Sequence, residues 1–92
     1  MPVERRRLER TLLKIGFVVS EHDHRVFILM VGGQRVLDTK TSRGSGYRTL
    51  GDDLVAEIAR QMHISSSLLR QLVRAEKTAD DYLAALRAQG LL

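Results

Sequence analysis

The chain is 92 residues long, carries 15 Lys and Arg against 11 Asp and Glu for a formal charge of +4, and has no cysteine. That length fits one domain, which buries about 60–65% of the surface its unfolded form exposes. Without cysteine there is no disulfide, no thiolate nucleophile and no thiolate metal ligand, which suits a reducing compartment. The longest apolar run, Val26 to Val31, is too short to span a bilayer. The opening MPVERRRLER mixes acids with bases and has no apolar stretch behind it, unlike a secretory leader. The expectation is a single cytoplasmic domain with no membrane partner.

The charge is uneven. Residues 1–48 hold ten Lys and Arg against five Asp and Glu, a net of +5. Residues 49–92 hold five against six, a net of −1. A basic half joined to a near-neutral half points to a polyanion on one side and ordinary packing on the other.

Residues 4–15 read as a helix, with Leu8, Leu12 and Ile15 on one face, Arg6, Arg10 and Lys14 on another, and Gly16 as its stop. The period then shortens. Residues 17–21 and 26–31 read as strands flanking a polar turn, Glu21-His22-Asp23-His24. Gly32-Gly33 is a two-residue hairpin signal, and residues 35–40 follow as a third strand. Connections this short give an antiparallel meander. The central strand is apolar on both sides, with Val26, Ile28 and Met30 facing one way and Phe27, Leu29 and Val31 the other. A helix layer covers one face; the second is left for another helix, a homodimer mate or a partner protein.

Residues 41–48, Thr-Ser-Arg-Gly-Ser-Gly-Tyr-Arg, form a loop. Helical periodicity returns with Leu50, Leu54, Ile58 and Met62. Ser65 is placed to cap a third helix, and Thr78 with Asp81, resembling a capping box, to open a fourth helix that stops at Gly90. The expected class is α+β, with an α-β-β-β-α core over residues 1–62, a three-stranded antiparallel sheet, and a helical extension over 63–92.

Several residues carry chemistry. Lys40, Arg43 and Arg48 cluster with no acid among them, and Tyr47 between them is available to stack on a base. The same loop would read as a flexible linker if its arginines were merely exposed. Arg6, Arg10 and Lys14 make a single-sign ridge that Glu9, able to pair with Arg5, weakens only in part; a solvated helix face shows the same pattern. His22 and His24 are too few to make a metal site, so neither metal nor cofactor is expected.

The order α-β-β-β-α resembles the HicA family of toxin ribonucleases, whose fold is similar to the double-stranded RNA-binding domain. Lys14-Ile15-Gly16-Phe17-Val18 is similar to the family's helix–Gly–Phe–strand entry, and His24-Arg25-Val26-Phe27 lies where members carry their histidine. Residues 39–54, with Lys40, the Ser-Arg-Gly-Ser patch and Leu50-Gly51-Asp52, resemble a further family segment, except that many relatives have histidine where this chain has Arg43. The later Ile58-to-His63 and Tyr82-Leu83 stretches are similar to a longer subgroup. The resemblance covers roughly residues 8–88 and rests on short motifs.

It implies an mRNA endoribonuclease that needs no metal, because the RNA's 2′-hydroxyl supplies the nucleophile. His24 would take that proton, its reference pKa of about 6.5 suiting the task. Arg25, Lys40 and Arg43 would hold phosphate, and the Ser42-to-Ser45 stretch would offer backbone donors as an anion nest. In a double-stranded RNA-binding arrangement the first helix lies against the minor groove. The family also implies a cognate antitoxin protein.

Two other classes remain. Residues 55–74 approximate helix-turn-helix spacing, with Ser66, Ser67, Arg70 and Arg74 as readers of DNA, although His63 stands where the turn glycine is usual and the basic excess lies elsewhere. A non-enzymatic adaptor would instead dock a protein on the doubly apolar strand. The expectation carried forward is an RNA-binding domain similar to HicA toxins.

Overall fold

A computed structural model describes residues 2–21, 25–41 and 48–92. The chain begins with a short strand β1 (Val3–Glu4), then α1 (Arg5–Ile15), β2 (Phe17–Glu21), β3 (Arg25–Val31), β4 (Gln34–Lys40), β5 (Thr49–Leu50), α2 (Asp52–Gln61), α3 (Ser66–Val73) and α4 (Ala79–Ala88). β2, β3 and β4 form the expected three-stranded antiparallel sheet in that order. Gly32 and Gly33 turn between β3 and β4 with φ 59° and 78°. A two-residue turn with positive φ at both positions matches the strand twist, and glycine adopts it without a Cβ clash.

Three departures from the expected elements come from strand pairing. Leu50 does not begin a helix: residues 49–50 pair antiparallel with residues 3–4 as a two-stranded ribbon, which also takes Glu4 out of the first helix. Gly51 then caps α2 without a side-chain bond, and Asp52 and Asp53 set negative charge against its N-terminus. The β3–β4 register shifts between Leu29 and Met30, which oppose Leu37 and Arg35, leaving Val36 as the extra residue. Alternation is therefore interrupted on β4 at Val36, while on β3 Val31 is exposed although it follows Phe27 and Leu29 in the alternation.

One apolar core joins every layer. Leu8 and Leu12 of α1 and Val55, Ile58, Ala59 and Met62 of the α2 region meet Phe17, Phe27, Leu29 and Leu37 on one sheet face. Leu69 and Leu72 of α3 and Tyr82 and Leu86 of α4 belong to the same cluster. Tyr82 sits with its ring centroid 6.1 Å from Phe17, and its hydroxyl donates to the Met62 carbonyl at 3.1 Å. Burial pushes its phenol pKa up. The opposite sheet face carries Val18, Val26, Ile28 and Met30, with Val18 and Met30 exposed.

The caps anticipated from sequence are present. The Ser65 hydroxyl accepts from the Leu68 N–H at 3.0 Å, and Thr78 with Asp81 closes a capping box. The backbone N–H and hydroxyl of Thr78 hold the Asp81 carboxyl below its ordinary value of 3.8. Among the described residues, no helix is long and apolar enough to cross a membrane.

Tyr82→Phe should destabilise the domain by about 1–1.5 kcal/mol through the lost buried hydrogen bond, and Tyr82→Ala by about 3–5 kcal/mol through the cavity, as read from urea unfolding. The cap gives a pH signature. A carboxylate whose folded pKa is depressed stabilises fully above its unfolded value and loses that contribution as pH falls through the folded one. The stability difference between wild type and Asp81→Asn should therefore be full above the ordinary carboxylate range and shrink as pH falls below it.

Candidate nucleic-acid interface

Thr39, Lys40 and Thr41, at and just past the end of β4, continue its alternation, which sorts their side chains by face. Thr39 and Thr41 turn toward the helices and are buried; Lys40 turns the other way, opposite Val26, and is exposed. Each threonine hydroxyl finds one helix. Thr39 donates to Gln61 Oε1 of α2 at 2.5 Å, and the same oxygen accepts the Lys40 N–H at 3.2 Å. Thr41 donates to Glu9 Oε2 of α1 at 2.6 Å. The strand end is thus fixed to both helices that cover the sheet.

Glu9 is 8% exposed, low for a carboxylate. It is compensated from three directions. Besides Thr41, Arg25 Nε lies 3.5 Å from Glu9 Oε2, and Arg5 Nε, one helical turn away, lies 3.9 Å from it. The Arg25 guanidinium also stands over the Phe27 ring at 5.7 Å. Arg25 is therefore held by the fold, although 39% of its side chain stays accessible.

This cluster lies at the foot of two segments singled out above. Residues 22–24 lead into β3 at Arg25, and residues 42–47 follow Thr41 past β4. A backbone bond joins those two residues, the Thr41 N–H donating to the Arg25 carbonyl at 3.4 Å. The far end of the loop returns at Arg48, whose carbonyl accepts the Arg5 N–H at 2.9 Å. Both loop anchors thus rest on α1, at residues 5 and 9. His24, Ser42, Arg43, Ser45 and Tyr47 themselves lie outside the described residues, as do His22 and Asp23.

The remaining candidates separate into three places. Arg6 and Arg48 share an open groove with Glu4, Arg5 and Thr49. Arg10 and Lys14 lie further along α1 and line a second groove with Arg7 and Arg74. Lys40 stands apart on the outer sheet face. Sequence reading missed Arg7, which the ridge of Arg6, Arg10 and Lys14 passes by; its seven-residue spacing to Lys14 was the available signal. It named Glu9 as a partner of Arg5 but had no means of finding Arg25 or Thr41 beside it, because tertiary folding brings those strand ends to a helix residue far from them in sequence.

His63 lies in the turn between α2 and α3 with φ 61°, and its carbonyl accepts from Gln89 Nε2 at 2.6 Å. Arg70 bonds Asp52 at 2.8 Å, and Arg74 bonds Glu76 at 2.8 Å. Among the described residues, no three His, Asp or Glu side chains are grouped as a metal site requires.

Glu9→Gln tests the cluster. It preserves an acceptor for Thr41 but removes the charge that Arg5 and Arg25 share. The expected loss is about 1–3 kcal/mol of unfolding free energy, the usual scale for hydrogen bonds to a charged group, measured by urea denaturation at neutral pH.

Comparison of the chain with protein-family models, curated proteins and solved structures returned no match, so the functional reading rests on the residues and their geometry.

Proposed function

We propose that the chain is an RNA-binding domain with the topology of the double-stranded RNA-binding domain, similar to HicA toxins, and that it cleaves RNA through His24. The observation that carries this reading is the bond between Thr41 and Arg25. It joins the strand ends from which the histidine turn and the Ser-Arg-Gly-Ser loop depart, so a proton acceptor and a phosphate cradle start from adjacent points. The order α1-β2-β3-β4-α2, interrupted only by the two-residue β5 before α2, with both helices on one sheet face, supports the topology.

In this mechanism RNA supplies its own nucleophile. His24 takes the 2′-hydroxyl proton, the oxygen attacks the adjacent phosphorus, and the 5′-oxygen leaves, giving a cyclic phosphate end. Arg25, Lys40 and Arg43, with the loop's backbone N–H groups around Ser42 and Ser45, offset the charge gathering on phosphorus. Tyr47 stacks on a base, and Arg6 and Arg48 hold the flanking backbone. The outer sheet face, with Val18, Val26, Ile28 and Met30, is the surface for an antitoxin or for a second copy of the chain.

One observation favours a second reading. His63 has the positive φ of a helix-turn-helix turn, and Ile58, Ala59, Met62, Leu69 and Leu72 around it are buried as that motif requires. Duplex DNA would then be read by Ser66, Ser67, Arg70 and Arg74. Against it, Arg70 and Arg74 both bond carboxylates.

Two measurements decide. RNA affinity should fall with rising salt, and Lys40→Ala/Arg43→Ala/Arg48→Ala should weaken binding and flatten the slope by roughly 2, about 0.7 per lost contact on single strands. Unchanged RNA binding, with duplex-DNA binding abolished by Arg70→Ala, would establish the second reading instead. Wild type should cut single-stranded RNA in chelator and spare DNA, and His24→Ala should slow cleavage by about 10²–10⁴-fold with little effect on affinity. Full cleavage by His24→Ala would remove that residue from the mechanism.

A further inference from the structure

The second groove on α1 has no place in that mechanism. Arg7, Arg10 and Lys14 line it from α1 and Arg74 from the end of α3, and no carboxylate is among its lining residues. Arg7 and Arg74 are held in place. The Arg7 guanidinium donates to the Val73 carbonyl at 3.5 Å, at the negative end of α3. Arg74 Nε donates to Glu76 Oε2 at 2.8 Å, with Nη2 3.5 Å from Oε1, while half its side chain remains exposed. Ala75 makes the reversal after Arg74 at φ 62°, a conformation that glycine adopts more readily. Three bonds hold that turn: the Ala75 N–H to the Leu72 carbonyl, and the Glu76 and Lys77 N–H groups to that of Gln71. A strained turn fixed in this way presents a guanidinium in one place rather than several.

We propose that this groove is a second phosphate-binding subsite for the same polynucleotide, which reaches it by crossing the exposed face of α1. The inference rests on the RNA-binding reading and extends its footprint. Arg6, in the Arg48 groove, is followed along α1 by Arg10 and Lys14, four residues and about 6 Å apart at each step. The two grooves thus belong to one track of positive charge about 12 Å long. A linear polyanion with regular charges can neutralise such a track at several points, whereas a single phosphate occupies one. The Arg7 and Arg10 guanidinium groups can fork onto phosphate and carboxylate oxygens alike, so the regular spacing of the track, not the cation type, selects a polynucleotide over an acidic protein segment; Arg74, its fork on Glu76, adds charge rather than a paired contact.

The footprint makes affinity depend on length. Fluorescence anisotropy would use the full chain with labelled single-stranded RNAs of about 5 and about 20 nucleotides over a salt series. Arg10→Gln/Lys14→Gln is the main variant because, among the described residues, these side chains make no hydrogen bond or ion pair; Arg7→Gln/Arg74→Gln is the second. Each should weaken the longer RNA by about tenfold and lower its salt slope by about 1.4, two contacts at about 0.7 each, and leave the shorter RNA unchanged. Unfolding curves matching wild type for the first variant exclude a folding defect. An unchanged affinity for the longer RNA overturns the subsite. So does equal weakening of both lengths, or displacement of RNA by polyglutamate at equal charge concentration. If wild type binds no RNA but binds duplex DNA, the RNA reading falls, and the same variants judge the groove on DNA: a flatter slope keeps it, an unchanged slope removes it.

Discussion

The Glu9 carboxylate ties together the parts of this fold that matter for function. Its partners come from three separate places in the chain: Arg5 in the same helix, Arg25 at the start of β3 and Thr41 just past β4. A carboxylate so little exposed is tolerated only when hydrogen bonds and opposite charge replace the water it has lost. That requirement fixes α1 against one end of the sheet. Because the same end emits both the histidine turn and the glycine-rich loop, the electrostatic need of one residue sets where two candidate catalytic segments begin.

The helical extension has a structural part that its position after the α-β-β-β-α core does not suggest. Tyr82 of α4 contacts Phe17 at the start of β2 and bonds the carbonyl that ends α2. Leu69 and Leu72 bring α3 into the core beside α1. A chain of this size has little core to spare, and the last two helices add apolar volume that the sheet and first two helices lack. They also bring Arg74 next to Arg7, so a packing solution creates a charged groove as its by-product.

Sequence pattern made the sheet legible because its signals are local. Period-2 alternation, the Gly32-Gly33 pair and the Gly16 stop each act within a few residues. The Ser65 and Thr78 caps were legible for the same reason. The β1–β5 ribbon was not, since Val3 and Leu50 are 47 positions apart and two residues carry no period. The bulge at Val36 was not, because an extra residue in one strand is visible only against its partner. At the site, Arg6, Arg10 and Lys14 were legible as a helical ridge. The division of that ridge between two grooves was not, because the Arg48 and Arg74 that complete them arrive by tertiary folding. Arg25 was legible as a cation, but its engagement with Glu9 and Phe27 was not.

The two surfaces of the domain differ in kind, and the difference follows from how the sheet is covered. Helices occupy one face, and the outer side of α1 is basic: Arg6, Arg7, Arg10 and Lys14 lie on it, with Arg74 beside it. The other sheet face is apolar at its centre, with Val26 and Ile28 half-buried and Met30 exposed. A polyanion gains from the first surface through counterion release and gains little from the second. A protein partner gains from the second by removing apolar area from water. The two can therefore be engaged at once except near the sheet end shared by Arg25, Lys40 and Thr41, where both surfaces meet. A protein that docked on the outer face and reached Lys40 would sit at the edge of the proposed catalytic segments, close enough to compete with RNA there while leaving the α1 groove open.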